Sequence, residues 1–263
     1  MPDASFESSK RLCTWALQEI ENFDSAEVAF MGNDPYQIVS EPAYSAVGLP
    51  PAPVSFKVVD IKQPGEEFER TAYRIILDLR NALDQAVSAA SEMIGSGSPS
   101  HTNFPFAMTE KDFNRRLAAS KGVYRGIPTK LHPLLQSFRP FLTNEDGTNG
   151  ERLLCFLNDI ANINKHKVTL ETLFSPKGVG IINCHGFNLV LNCQRISDTE
   201  FSILKATPFA PNAQITIEVT AEFRISHWSP FTDQPAGKLF KKLHALVESI
   251  VLKIEEETLK ITD

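Results

Sequence analysis

The sequence predicts an α+β protein: a helical core preceded by a β-hairpin and followed by an antiparallel sheet and a closing helix. Three observations carry that reading. Apolar residues recur at helical spacing over much of about 64–167, they alternate over about 168–228, and helical spacing returns over about 236–258. No internal repeat appears and no linker clearly divides the chain, so residues 1–263 are read as one domain.

Over residues 5–23, Phe6, Leu12, Cys13, Ala16, Leu17 and Ile20 fall at helical spacing and give an amphipathic first helix. An extended piece, Tyr36–Ser40, follows Pro35. After a Pro-rich turn around Leu49–Pro53, the stretch Val54–Ile61 alternates as a strand should, and the two runs form the predicted hairpin. Pro64, Gly65, Glu66 and Glu67 open the central helix, with acidic side chains where the helix dipole favours them.

That helix, Phe68–Met93, organises the rest. Ala72, Ile75, Ile76, Leu79, Ala82, Leu83, Ala86, Val87 and Ala90 share one arc wide enough to require burial on more than one side. Arg80 and Asp84 fall inside the extended arc, one turn apart. A surface pair at this spacing contributes only about 0.3–0.5 kcal/mol. Among aliphatic neighbours a charge is costly unless paired, so further partners are expected elsewhere in the chain.

Gly95–Ser100 ends the helix with turn residues, and a short helix is expected from near Thr109 to Leu117. His132–Phe141 reads as a short helix or turn closed by Pro140, and Asn144–Gly150 as a polar loop. In Glu151–His166, Leu153, Leu154, Phe156, Leu157, Ile160, Ala161 and Ile163 make an apolar face, opposite Asn158, Asp159, Asn162, Lys165 and His166. Asn164 projects onto the apolar side and needs a partner, for which Arg80 and Asp84 are the candidates. The predicted structural network is therefore Arg80, Asp84, Asn162, Asn164 and Lys165. Strands are expected at Val168–Phe174, Val179–Asn183, Phe187–Cys193, Phe201–Lys205 and Gln214–Ser226. The closing helix buries Leu239, Leu243, Leu246, Val247, Ile250 and Ile254.

The net charge of −6, without a dense Lys/Arg block, does not force a nucleic-acid or membrane role. Cys13, Cys155, Cys184 and Cys193 form no CxxC pair; Cys155 and Cys193 have apolar neighbours and are expected to be reduced, buried thiols in a cytoplasmic protein. The start resembles no signal peptide, and no apolar run reaches the roughly 18 residues of a membrane span. Cys184, His185 and Cys193 make a weak metal cluster and are read as ordinary strand residues, so no metal and no cofactor is expected. His101, His132, His227 and His244 are read as surface or capping residues. No GxxxxGK(S/T), GxGxxG, GxSxG or HExxH motif occurs, which argues against nucleotide-driven chemistry, α/β-hydrolase chemistry and zincin proteolysis.

Three segments together resemble a widespread group of bacterial proteins without a settled activity, which carry LRSALDH, FPI and NxxDKHR in that order. The matching residues here are Leu79-Arg80-Asn81-Ala82-Leu83-Asp84-Gln85, Phe104-Pro105-Phe106 and Asn162-Ile163-Asn164-Lys165-His166-Lys167, within a likeness over about residues 15–170. Gln85 departs from the group's His and Asn164 from its Asp. The first string is similar to the Arg-x4-His motif of HEPN ribonucleases, which cleave RNA at a dimer interface, and implies a HEPN-like helix pair. Arg80 and Asn81 match that motif, whereas the amide of Gln85 cannot act as general acid or base; His166 is the candidate replacement. The plainer reading of His166, favoured over a catalytic one, is a helix C-terminal cation stabilised by the dipole.

Two readings follow. One is a non-enzymatic or regulatory interaction module built on the polar network. The other is a metal-independent HEPN-like ribonuclease of a toxin or phage-defence system using Arg80, Asn81 and His166. A homodimer and RNA are the expected partners, with no membrane.

Overall fold

The computed structural model describes residues 5–42, 53–95, 101–143, 150–166, 172–197, 199–210, 212–225 and 234–262. Helix α1 (Glu7–Met31) leads into strands β1 (Gln37–Pro42) and β2 (Val54–Val59), and then into the central helix α2 (Glu66–Met93). A middle segment carries β3 (Ala107–Thr109), α3 (Glu110–Ala118), a 3-10 turn (Thr129–Leu131), α4 (His132–Ser137) and β4 (Phe141–Thr143). It ends in α5 (Arg152–His166). Strands β5 (Thr172–His185), β6 (Phe187–Arg195), β7 (Phe201–Pro208) and β8 (Gln214–Ile225) follow, and α6 (Ala236–Thr262) closes the fold.

Every residue of the predicted α2 arc is buried, because the helix packs against α1, α5 and α6 together. Removing so much aliphatic surface from water is the largest local contribution to stability, at about 1.5–3 kcal/mol per large side chain. At one end, Phe23 of α1 meets Phe68 of α2 and Phe240 of α6 edge-on at 5.5 and 5.3 Å, and Phe68 stacks on Phe223 of β8 at 4.6 Å. One aromatic cluster thus joins three helices to a sheet.

α1 runs past the predicted end at 23. Phe23 is buried and Ala26 and Phe30 pack on the core at helical spacing, so its apolar stripe continues through the polar residues between them. The predicted hairpin forms, β1 pairing antiparallel with β2 from Gln37↔Val59 to Pro42↔Val54. It does not stand alone: β2 also pairs with β7, giving a four-stranded sheet in the order β1-β2-β7-β6. β5 and β8 pair separately. The predicted C-terminal sheet is therefore split. The corner is Gly186, at φ +78°, where a Cβ would lie 2.9 Å from that of Ala210. Only glycine turns the chain there without strain, and β5 and β6 enter different sheets.

β5 is one strand rather than two, since Pro176 and Gly178 are absorbed at a register shift in its pairing with β8. The short parallel pair β3–β4 was not predicted, because three residues are too few to show a period. α3 begins as expected, with Thr109 Oγ1 accepting the Asp112 N–H at 3.2 Å. Cys193 is exposed, because the outer strand β6 leaves it uncovered, while Cys13 and Cys155 are buried. His244 is also buried, its Nε2 lying 3.0 Å from the Cys13 carbonyl oxygen, so it links α6 to α1 rather than facing solvent. The turn around Leu49, Ser96–Ser100 of the Gly/Ser loop, Asn144–Asn149, the predicted strand start at Val168, and His227 lie outside the described residues.

Candidate functional site

Arg80 and Asp84, one turn apart on α2, form an ion pair. Their side chains are 11% and 25% exposed. Asp84 Oδ1 also accepts the backbone N–H of Phe104 at 2.8 Å. Arg80 Nε donates to Asn158 Oδ1 on α5 at 3.4 Å, and its guanidinium carbon lies 4.7 Å from the centre of the Phe106 ring. A cation over an aromatic face adds roughly 0.5–2 kcal/mol, more as water is excluded. Two charges on α2 thereby fasten the 104–106 segment and α5 to it. The physical reason is the one read from the sequence: a charge placed among aliphatic side chains must find partners.

The other predicted residues are placed as follows. Asn81 is half-buried and one position on, about 100° further round the helix from Arg80. Gln85 is exposed and accepts the hydroxyl of Ser8 on α1, so the position that departs from the resembling motif is held by the first helix. Asn162 is exposed. His166 is the last residue of α5; its side chain and those of Asn164 and Lys165 lie outside the described residues.

Asn158, assigned from the sequence only to the polar face of its helix, is the residue of α5 that meets Arg80. Its signal was spacing: it precedes Asn162 by one turn and adjoins the buried Leu154 and Leu157. Asn158 also hydrogen-bonds Asp159, whose carboxyl is held above the usual range by burial, with that bond opposing. Both line a cleft of about 160 Å³ together with Phe106, Met108, Arg116, Leu142 and the buried Cys155. Burial, then the charges of Asp159 and Glu151, push the Cys155 thiol up to about 12. It is therefore protonated at neutral pH and poor as a nucleophile.

A second, more open groove of about 230 Å³ lies between α1 and α2, lined by Trp15, Gln18, Glu19, Asn22, Arg74 and Asp78. Burial and the Glu19 charge hold the Asp78 carboxyl above the usual range, opposed by Arg74. Among the described residues, no group of three His, Cys, Asp or Glu side chains could hold a metal ion, and no helix is long and apolar enough to cross a membrane.

Fold and site together define an α+β protein whose central helix is tied to its neighbours by a partly buried Arg–Asp–Asn cluster. Compared with known protein families, curated proteins and solved structures, the chain matches none.

Proposed function

We propose that the chain is a non-enzymatic interaction module in which Arg80, Asp84 and Asn158 are structural. One observation carries this reading: the Arg80 guanidinium is already engaged by Asp84, Asn158 and the Phe106 ring, with its side chain 11% exposed. A group that stabilises a phosphate in RNA cleavage needs free donors aimed into a site open to substrate.

An interaction role has further support in β6, an outer strand of the four-stranded sheet on which Val190 and Leu191 are 64% and 63% exposed. Such an edge is a template for another strand, and a second copy of the chain pairing along Phe187–Leu191 gives a homodimer. The four cysteines are free, which suits a reducing, cytoplasmic setting.

The test is Arg80→Ala beside Arg80→Lys and His166→Ala, read by thermal and urea unfolding and by incubation with labelled RNA. The expected result is that Arg80→Ala lowers stability by about 3 kcal/mol, Arg80→Lys by less, and no chain cleaves RNA. Cleavage by the parent that Arg80→Ala abolishes at unchanged stability overturns the proposal in favour of a HEPN-like ribonuclease.

A further inference from the structure

The cleft beside the Arg80 cluster has walls of opposite charge. On α5, Asp159 is bonded to Asn158 and makes no ion pair with a cation among the described residues. On α3, Arg116 pairs with Asp112 at 3.0 Å, and its side chain is 47% exposed. Asp112 is also paired to Arg115. Arg116 can therefore swing toward an incoming anion without stranding its present partner. Between the charged groups the lining is apolar: Phe106, Met108 and Leu142. Met108 is 62% exposed, a flexible side chain at the mouth that can fold over a ligand.

We infer that this cleft binds a small zwitterion of the α-amino-acid class with an unbranched apolar side chain: its ammonium group on Asp159, its carboxylate on Arg116 and its side chain against Phe106, Met108 and Leu142. Size is consistent with this. An apolar cavity of about 150 Å³ accepts a benzene-sized group, and the cleft is about that large and open on one side. A ligand carrying one charge makes only one of the two ionic contacts: an ammonium alone leaves Arg116 on Asp112, and a carboxylate alone leaves Asp159 without a cation. One carrying both charges meets each with a charge-assisted hydrogen bond. Asp159 is kept in place by Asn158, which Arg80 holds in turn. The inference thus rests on reading the Arg80 cluster as scaffolding, and it gives that module a ligand.

The test is titration calorimetry of the full chain with L-norleucine and with its two half-molecules, 1-aminopentane and hexanoate. Norleucine is expected to bind one per chain, and each half-molecule roughly tenfold or more weaker, as loss of a charged hydrogen bond dictates. Asp159→Asn and Arg116→Gln are each expected to weaken norleucine by a similar factor while the chain melts cooperatively. Asp78→Asn, in the other groove, should bind like the parent. The inference is overturned if the parent shows no saturable heat with norleucine, if a half-molecule binds as tightly, or if Asp159→Asn binds unchanged. Failure of the scaffolding reading shows separately, as Arg80-dependent RNA cleavage.

Discussion

Asp84 accepts the backbone N–H of Phe104, twenty residues further along the chain, at 2.8 Å while holding Arg80 in an ion pair. One carboxylate therefore does two jobs. It neutralises a guanidinium shielded from water, and it satisfies a main-chain donor at the start of the segment that supplies both Phe104, fully buried, and Phe106.

Removing that carboxylate is expected to cost more than removing a surface charge. Asp84→Ala leaves Arg80 unpaired and the Phe104 N–H without its acceptor, a loss of about 3 kcal/mol, toward the lower end for a buried pair because Asp84 is a quarter exposed. Asp84→Asn keeps an oxygen for the Phe104 N–H and should lose clearly less. Urea unfolding of the two variants beside the parent reads both. Equal losses would mean that the bond to Phe104 contributes nothing.

What the sequence disclosed here was the need, and what it concealed was the partner. Arg80 and Asp84 stood out because charge interrupted an aliphatic arc, a conflict visible in one helix alone. The acceptor on α5 was not visible, since Asn158, Asn162 and Asn164 are chemically alike: Asn158 and Asn162 lie only about 40° apart round the helix, and Asn164 drew attention instead because it falls on the apolar side. Phe106 was invisible as a partner for the same reason: nothing local says which face of a ring a distant cation will cover. The split of the C-terminal strands into two sheets was likewise hidden, because alternation fixes which side of a strand is buried and not which strand lies beside it. Gly186 was the available signal, a glycine between two alternating runs.

The pH dependence of stability follows from Asp78, Glu27 and Asp159, each held above the usual carboxylate range chiefly by burial, with Glu19 adding at Asp78 and Asp24 at Glu27. In the window between the unfolded value, near about 4, and the raised folded value, the folded chain binds more protons than the unfolded one. The slope of stability with pH is therefore negative there. These groups favour the fold below the window and oppose it once all are ionised. Asp78→Asn should raise the melting temperature at pH 7 relative to the parent, and the gain should shrink as the pH falls toward 4. A variant that melts below the parent at pH 7, or a gain that grows on acidification, refutes this.

Thiol reactivity should divide the cysteines in pairs. Burial and the nearby Glu248 push the Cys13 thiol up to about 11, and Cys155 lies near 12. Cys184 and Cys193 are exposed on β5 and β6. Since the thiolate is the nucleophile, brief alkylation of the folded chain at pH 8 should label Cys184 and Cys193 alone, and denaturant should release the other two. Mass spectrometry of the digested protein counts them; early labelling of Cys155 would mean that the cleft opens far more widely than its geometry allows.

Gly150 decides where α5 begins, and with it where Asn158 sits. Its N–H donates to the Leu142 carbonyl at 3.1 Å, and a Cβ built on it would fall 1.6 Å from the Phe141 carbonyl oxygen and 2.9 Å from that of Arg139. Both obstacles are main chain, so no side-chain rotation relieves the clash. The Arg139 carbonyl also accepts the Glu151 N–H at 2.8 Å, which anchors the first residue before the helix. Gly150→Ala must therefore push α5 away from β4, at roughly 1–3 kcal/mol for forced backbone displacement, although alanine in an unhindered loop stabilises by restricting the unfolded chain. The displacement should lengthen the Arg80–Asn158 bond and widen the cleft. The expected outcome is a lower melting temperature together with earlier alkylation of Cys155. A Gly150→Ala chain as stable as the parent, with Cys155 still protected, would show that α5 does not depend on this contact.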